Sequence, residues 1–127
     1  MPAPPLPTSS ELEILRVIWK HGPTTVREVY RQMAAERGMG YSTVLKFMQI
    51  MTDKGLLERD ASVRPQVYRA TQPQQRMQRS IIKDLVRRAF DGSSASLVLQ
   101  ALSDRRASAD ERRQIRALLD TLDRKSR

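Results

Sequence analysis

The hydrophobic period changes once in the first 70 residues of this 127-residue chain, and the change limits which folds are open to it. Before Gly55 the apolar residues recur every three or four positions, the period of a helix with one buried face. After it, "LLERD" (residues 56–60) and "QVYRA" (residues 66–70) suit two short strands, with "ASVRP" as a hairpin tip that ends near Pro65. The helical part divides into three. Residues 11–20 bury Leu12, Leu15, Ile18 and Trp19 and stop at "HGP". Residues 26–36 carry Val26, Val29, Tyr30 and Met33 on one stripe. Residues 42–54 follow the turn "ERGMG" and stop at Gly55, a residue suited to a helix C-terminus. Ser10 with Glu13, Thr25 with Glu28 and Ser108 with Glu111 each fit a capping box, in which a side-chain oxygen and a glutamate satisfy orphan amides. Ser42 is a weaker cap, because Leu45 stands where the glutamate would be.

Three helices and a hairpin in about 60 residues are the order of a winged helix-turn-helix. Beyond "TQP" the helical period returns, over residues 74–90 with Met77, Ile81, Leu85 and Ala89 four apart. A short helix over "SLVLQALS" contributes Leu97 and Leu99. A last helix over residues 109–124 lines up Ile115, Leu118, Leu119 and Leu122. Some 50 residues of this kind bury too little surface to stand alone. Their stripes, named here as Met77, Ile81, Leu85, Leu97, Leu99, Ile115, Leu118, Leu119 and Leu122, call for a partner, and a second copy of the chain is the economical one. The expected class is mainly α with a small β-hairpin: a lead over residues 1–8, a winged helix over 9–71 and a helical dimerisation region over 72–127.

Charge narrows the function. Lys and Arg outnumber Asp and Glu 23 to 14, a net charge of +9, which favours polyanions. The excess is uneven: ten basic and seven acidic residues lie in 1–71, thirteen and seven in 72–127. DNA binding by the first half must therefore rest on local placement. The third helix supplies it. With Ser42 at zero and about 100° per residue, Val44, Phe47, Met48 and Met51 form the core stripe. Ser42, Lys46, Gln49 and Asp53 lie opposite, with Leu45 and Ile50 on the flanks. Side chains on the first turns of such a helix meet base edges in a major groove. In that role Lys46 is expected to reach guanine acceptors or a phosphate, Gln49 to pair with adenine, and Leu45 to pack on a thymine methyl. Arg64 at the hairpin tip, with Arg59, is expected to touch the neighbouring phosphates.

Other functions find little support. His21, the one histidine, has no neighbour at metal-binding spacing, and the chain has no cysteine for a disulfide or thiolate site. No nucleophile with a base, phosphate loop or carboxylate pair stands out, so neither catalysis, cofactor nor metal is expected. Trp19 and Tyr30 read as packing, and pairs such as Arg87-Arg88 and Arg112-Arg113 as solvated faces. No stretch of 18 residues is free of charge, and the start lacks a signal-peptide pattern, so membrane insertion is not expected and a cytoplasmic protein is. A winged helix that binds protein, its basic second half meeting an acidic partner, stays open as an alternative. A membrane-surface helix over residues 74–90 is a more remote one.

"LPTSSELEILRVIWKHGPTTVREVY", "GYSTVLKFMQIMTDKGLLERD" and "VYRAT" resemble the penicillinase repressor family, which includes methicillin-resistance and copper-responsive repressors, and "AFDGSSASLVLQAL" resembles its segment near the dimerisation region. The resemblance spans about residues 6–122. It implies a homodimeric transcriptional repressor on an inverted-repeat operator in double-stranded DNA, controlling antibiotic-resistance genes. The family's DNA contacts match Tyr41, Ser42, Thr43, Leu45 and Lys46, together with the wing. It also implies a membrane sensor protease that cuts the repressor. That cut falls between Asn and Phe in the best-known members, and Gln100-Ala101 stands there in this chain, which speaks against the same protease. The copper-responsive branch needs cysteines that this chain lacks.

Overall fold

The computed structural model describes residues 6–104 and 106–126. Its elements are α1 (Ser9–His21), α2 (Val26–Arg37), α3 (Tyr41–Asp53), β1 (Leu57–Asp60), β2 (Val67–Ala70), α4 (Gln74–Ala89), α5 (Ser94–Asp104) and α6 (Ala109–Lys125). The chain is mainly helical with one antiparallel hairpin, as the change of period implies. It divides into two compact units, up to Ile82 and from Lys83, and α4 crosses the division.

Capping chemistry sets the first helix two residues earlier than Ser10 and Glu13 would. Thr8 accepts from the Glu11 amide, and the Glu11 carboxylate accepts from the Thr8 amide at 2.9 Å, completing the box. "TSSELE" offers the motif in both registers. The earlier one prevails because it turns Glu11 inward, where Lys54 Nζ donates to both of its oxygens at 2.8 and 3.0 Å. The expected lead over residues 1–8 thus falls on five residues outside those described, on Leu6, which packs against the core, and on the cap Thr8. Ser108 and Glu111 form the expected capping box on α6, whereas at α2 the Thr25 hydroxyl accepts from the Glu28 amide and the Glu28 carboxylate pairs with Arg31 instead of closing the box.

The core of the first unit gathers Ile14, Leu15 and Ile18 from α1, Val29 and Met33 from α2, and Val44, Met48 and Met51 from α3. Leu56, Leu57 and Tyr68 close it from the hairpin. Ile14 and Val17 are buried where the sequence stripe named Leu12 and Trp19, both of which are half-buried. Trp19 keeps a polar link: its indole Nε1 donates to the Gln72 carbonyl at 3.0 Å. Met77, expected at a subunit interface, is buried in this core, and Ile81 packs against it.

The hairpin pairs Leu57 with Ala70 and Asp60 with Val67. It has an addition that the sequence did not reveal. Thr24, between α1 and α2, forms an antiparallel bridge to Tyr68, with hydrogen bonds of 2.9 and 2.7 Å between their backbones. The loop after α1 is thereby tied to the wing.

In the second unit α5 and α6 bury no residue fully. Leu99, Leu118, Leu119 and Leu122 are more than half exposed and Leu85 nearly so, while Leu97 and Ile115 are half-buried.

Candidate nucleic-acid interface

α2 and α3 are joined by a tight turn that glycines make possible. Gly38 closes α2 in the left-handed region at φ 64°, which has little steric cost without a Cβ, and its amide donates to Ala34 at 3.1 Å. Gly40 then begins α3 in an extended conformation. A glycine has no side chain to cap a helix, so the first amides of α3 lack the partner that α1, α2 and α6 have. Such amides, with the helix dipole behind them, favour an anion.

The far end of α3 is closed by Gly55 at φ 85°, with Leu56 donating back to Met51 at 2.8 Å and Gly55 to Thr52 at 3.1 Å. Val44, Met48 and Met51 are 0% exposed. Each contributes roughly 1.5–3 kcal/mol by burial, which fixes the rotation of α3 and hence what it presents outward.

Ser42, Thr43, Lys46 and Gln49 are all exposed, as the helical wheel predicts. Among the described residues none of these side chains has a hydrogen-bond or ion-pair partner. Ser42 does not cap α3; it lies within its first turn. Leu45, expected against a thymine, instead packs on the core and is half-buried. Ile50, on the opposite flank, is 40% exposed. The wet face is therefore centred nearer Lys46 than Ser42, a shift of about 40° at 100° per residue. Ser42, Thr43, Lys46, Phe47 and Ile50 line one open depression of about 540 Å³.

Tyr41 is held from α2. Its ring meets that of Tyr30 edge-on, centroids 5.6 Å apart at 74°, and the Arg27 guanidinium lies 5.7 Å from its centroid. Arg27 was missed in the sequence, where it is one exposed arginine of α2 with no motif around it. The geometry brings its charge beside the uncapped start of α3.

In the wing, Arg69 is committed to Glu58, its cross-strand neighbour, with Nε donating at 2.8 Å. Arg59 and Arg64 are exposed and, among the described residues, have no carboxylate partner. Asp60 orders the tip: the Ser62 hydroxyl and amide donate to it, which holds its carboxyl below the usual value. Among the described residues no three His, Cys, Asp or Glu side chains could hold a metal ion. No described helix is long and apolar enough to cross a membrane.

Three packed helices, the third offering an unpartnered polar face, and a wing bearing two free arginines define a winged-helix protein of the DNA-binding repressor class. A profile of the penicillinase repressor family matches residues 7–121. The chain belongs to that family, and it is a DNA-binding transcriptional repressor rather than an enzyme. No curated protein matches it significantly. The solution structure of the DNA-binding domain of the repressor BlaI is 26% identical, with a TM-score of 0.52 over 58% of this chain and 90% of that one. The monomeric form of Bacillus licheniformis BlaI in complex with the blaP half-operator matches with the same figures. Staphylococcus aureus MarR in complex with salicylate and kanamycin has a TM-score of 0.53 at 18% identity, over 91% of this chain and 71% of that one, a likeness of fold alone.

Proposed function

We propose that the repressor acts as a homodimer on an inverted-repeat operator, with the start of α3 from each subunit in successive major grooves. The observation that carries this reading is the exposed face of α3, where four polar side chains lack partners beside an uncapped helix start. In this role Lys46 donates to guanine acceptors and Gln49 pairs with adenine. Tyr41, Ser42 and Thr43 meet phosphate or base edges at the first turn, with Arg27 alongside. Arg64 and Arg59 hold neighbouring phosphates. Leu45 supports the helix from behind.

The exposed leucines of α5 and α6 support the dimer, since apolar surface of that extent is covered in most soluble proteins. The expected winged helix over residues 9–71, with the first turns of α4 packed on it, then serves the operator, and the helical region from residue 83 onward the pairing of subunits, in which Leu85, Leu97, Leu99, Ile115, Leu118, Leu119 and Leu122 take part. Two α3 helices about 34 Å apart would match one turn of DNA. The family name supports control of antibiotic-resistance genes from the cytoplasm. A membrane sensor protease that cut between Gln100 and Ala101 would first have to unwind α5, which contains that bond.

A band shift on the inverted repeat upstream of the gene tests the proposal. Affinity should fall steeply with salt, with a slope near −0.9 per phosphate neutralised. Lys46→Ala should cost about 1–3 kcal/mol and relax the preference at one base pair. A uniform loss on all sequences would make Lys46 a phosphate contact. Absence of binding to any inverted repeat, with binding to an acidic protein instead, would establish the protein-interaction reading.

A further inference from the structure

We infer that the depression beside Lys46 receives the C5-methyl group of a thymine, with Ile50 as the residue that determines this specificity. The inference rests on the operator-binding reading of α3 and names a base that it would select.

Ile50 stands out by its surroundings. It is one of two large hydrophobic residues of α3 that are substantially exposed, at 40%, and the other, Tyr41, has partners in Tyr30 and Arg27. Ile50 follows Lys46 by four residues and Thr43 by seven, so the three form one strip along the helix. They share the depression with Ser42 and Phe47. Among these lining residues Ile50, Phe47 and the Thr43 methyl can supply an apolar wall, and the Lys46 ammonium and the two hydroxyls can supply polar groups. Phosphate has no use for the apolar wall. Among base edges in the major groove, thymine alone presents a methyl group, and it does so beside hydrogen-bond acceptors. An apolar wall next to a cation and hydroxyls fits a thymine whose neighbour in the stack offers acceptors to Lys46. Leu45, the other aliphatic candidate on this helix, is turned toward the core and does not line the depression.

Deoxyuridine isolates the group in question, because it pairs as thymidine does and lacks only the methyl. The full-length chain is first allowed to select a duplex from a random-sequence pool. Each thymine of one half-site, with its symmetry mate, is then replaced by deoxyuridine and affinity is measured. Replacement at one position should weaken binding by the native chain about tenfold, three- to fivefold for each methyl lost from contact. Ile50→Ala should weaken binding to the thymine duplex by a similar factor and be indifferent to the deoxyuridine exchange. Ile50→Val should keep an intermediate response. A half-exposed residue leaves the core intact, and unchanged tryptophan emission would confirm it for each variant. Selection of a duplex with no methyl-sensitive position, or a methyl effect that persists unchanged in Ile50→Ala, would overturn the inference while leaving DNA binding in place. Selection of no duplex at all would overturn DNA binding and the inference together.

Discussion

Replacing Leu118 and Leu122 of α6 together by aspartate should convert the proposed dimer to monomers and weaken binding to a full inverted repeat by about 10²–10⁴-fold. That factor is the avidity lost when two half-site contacts are no longer linked. Both leucines are more than half exposed, so the substitutions bury no new charge within the chain. Sedimentation should show the change in mass, and binding to an isolated half-site should stay within a fewfold of native. If the variant remained dimeric, the subunit contact would lie elsewhere than on α6. Loss of half-site binding as well would mean that these leucines support the first unit, contrary to their exposure.

The second large effect concerns stability. Glu11 is 2% exposed, and Lys54 is the cation that compensates it. Lys54→Ala should destabilise the first unit by about 2–3 kcal/mol at neutral pH. This is below the 3–5 kcal/mol typical of breaking a fully buried pair, because the Lys54 side chain is itself 28% exposed. Burial pushes the Glu11 carboxyl up, but the Lys54 hydrogen bonds and charge and the Thr8 donors outweigh it and hold it below the usual 4.5. A lowered folded-state value means that the stabilisation is fully present above the unfolded value and is lost as pH falls through the folded one. The native chain should therefore lose this contribution below about pH 4.5, and the gap between native and Lys54→Ala should narrow there. Denaturant titrations at pH 7 and in acid would measure it. A gap that stayed constant with pH would show that Lys54 contributes packing rather than charge. The double change Glu11→Leu with Lys54→Met should recover most of the loss, since well-packed apolar groups often replace a buried pair without cost.

That pair also marks where sequence reasoning stops. Helix and strand positions were legible because caps, glycine stops and hydrophobic period are local signals: α2 and α4 each end within one residue of the expected place. The Glu11–Lys54 contact joins residues 43 apart, and nothing near either one announces it. Its effect is nonetheless local, since it selects between two capping registers in "TSSELE". The bridge from Thr24 to Tyr68 and the approach of Arg27 to Tyr41 are likewise products of tertiary packing. On α3 the wheel separated Val44, Met48 and Met51 from Lys46 and Gln49 correctly. It could not decide between the flanks, because Leu45 and Ile50 are equally apolar and only the neighbouring helices determine which is covered. Met77 shows the same limit. Its stripe continues into Leu85, but its own turn of α4 packs on the winged helix of the same chain.

The single tryptophan offers a practical handle. Trp19 lies in the first unit, and its indole is tied to the Gln72 carbonyl, on the segment that leaves the hairpin for α4. Its emission therefore reports on one half of the molecule, while the helices from Lys83 onward have no such reporter. Circular dichroism at 222 nm weights all six described helices. If the halves melt at different temperatures, the two optical signals will separate, and protein concentration should shift the transition that only dichroism sees, because the proposed dimer would come apart in that step.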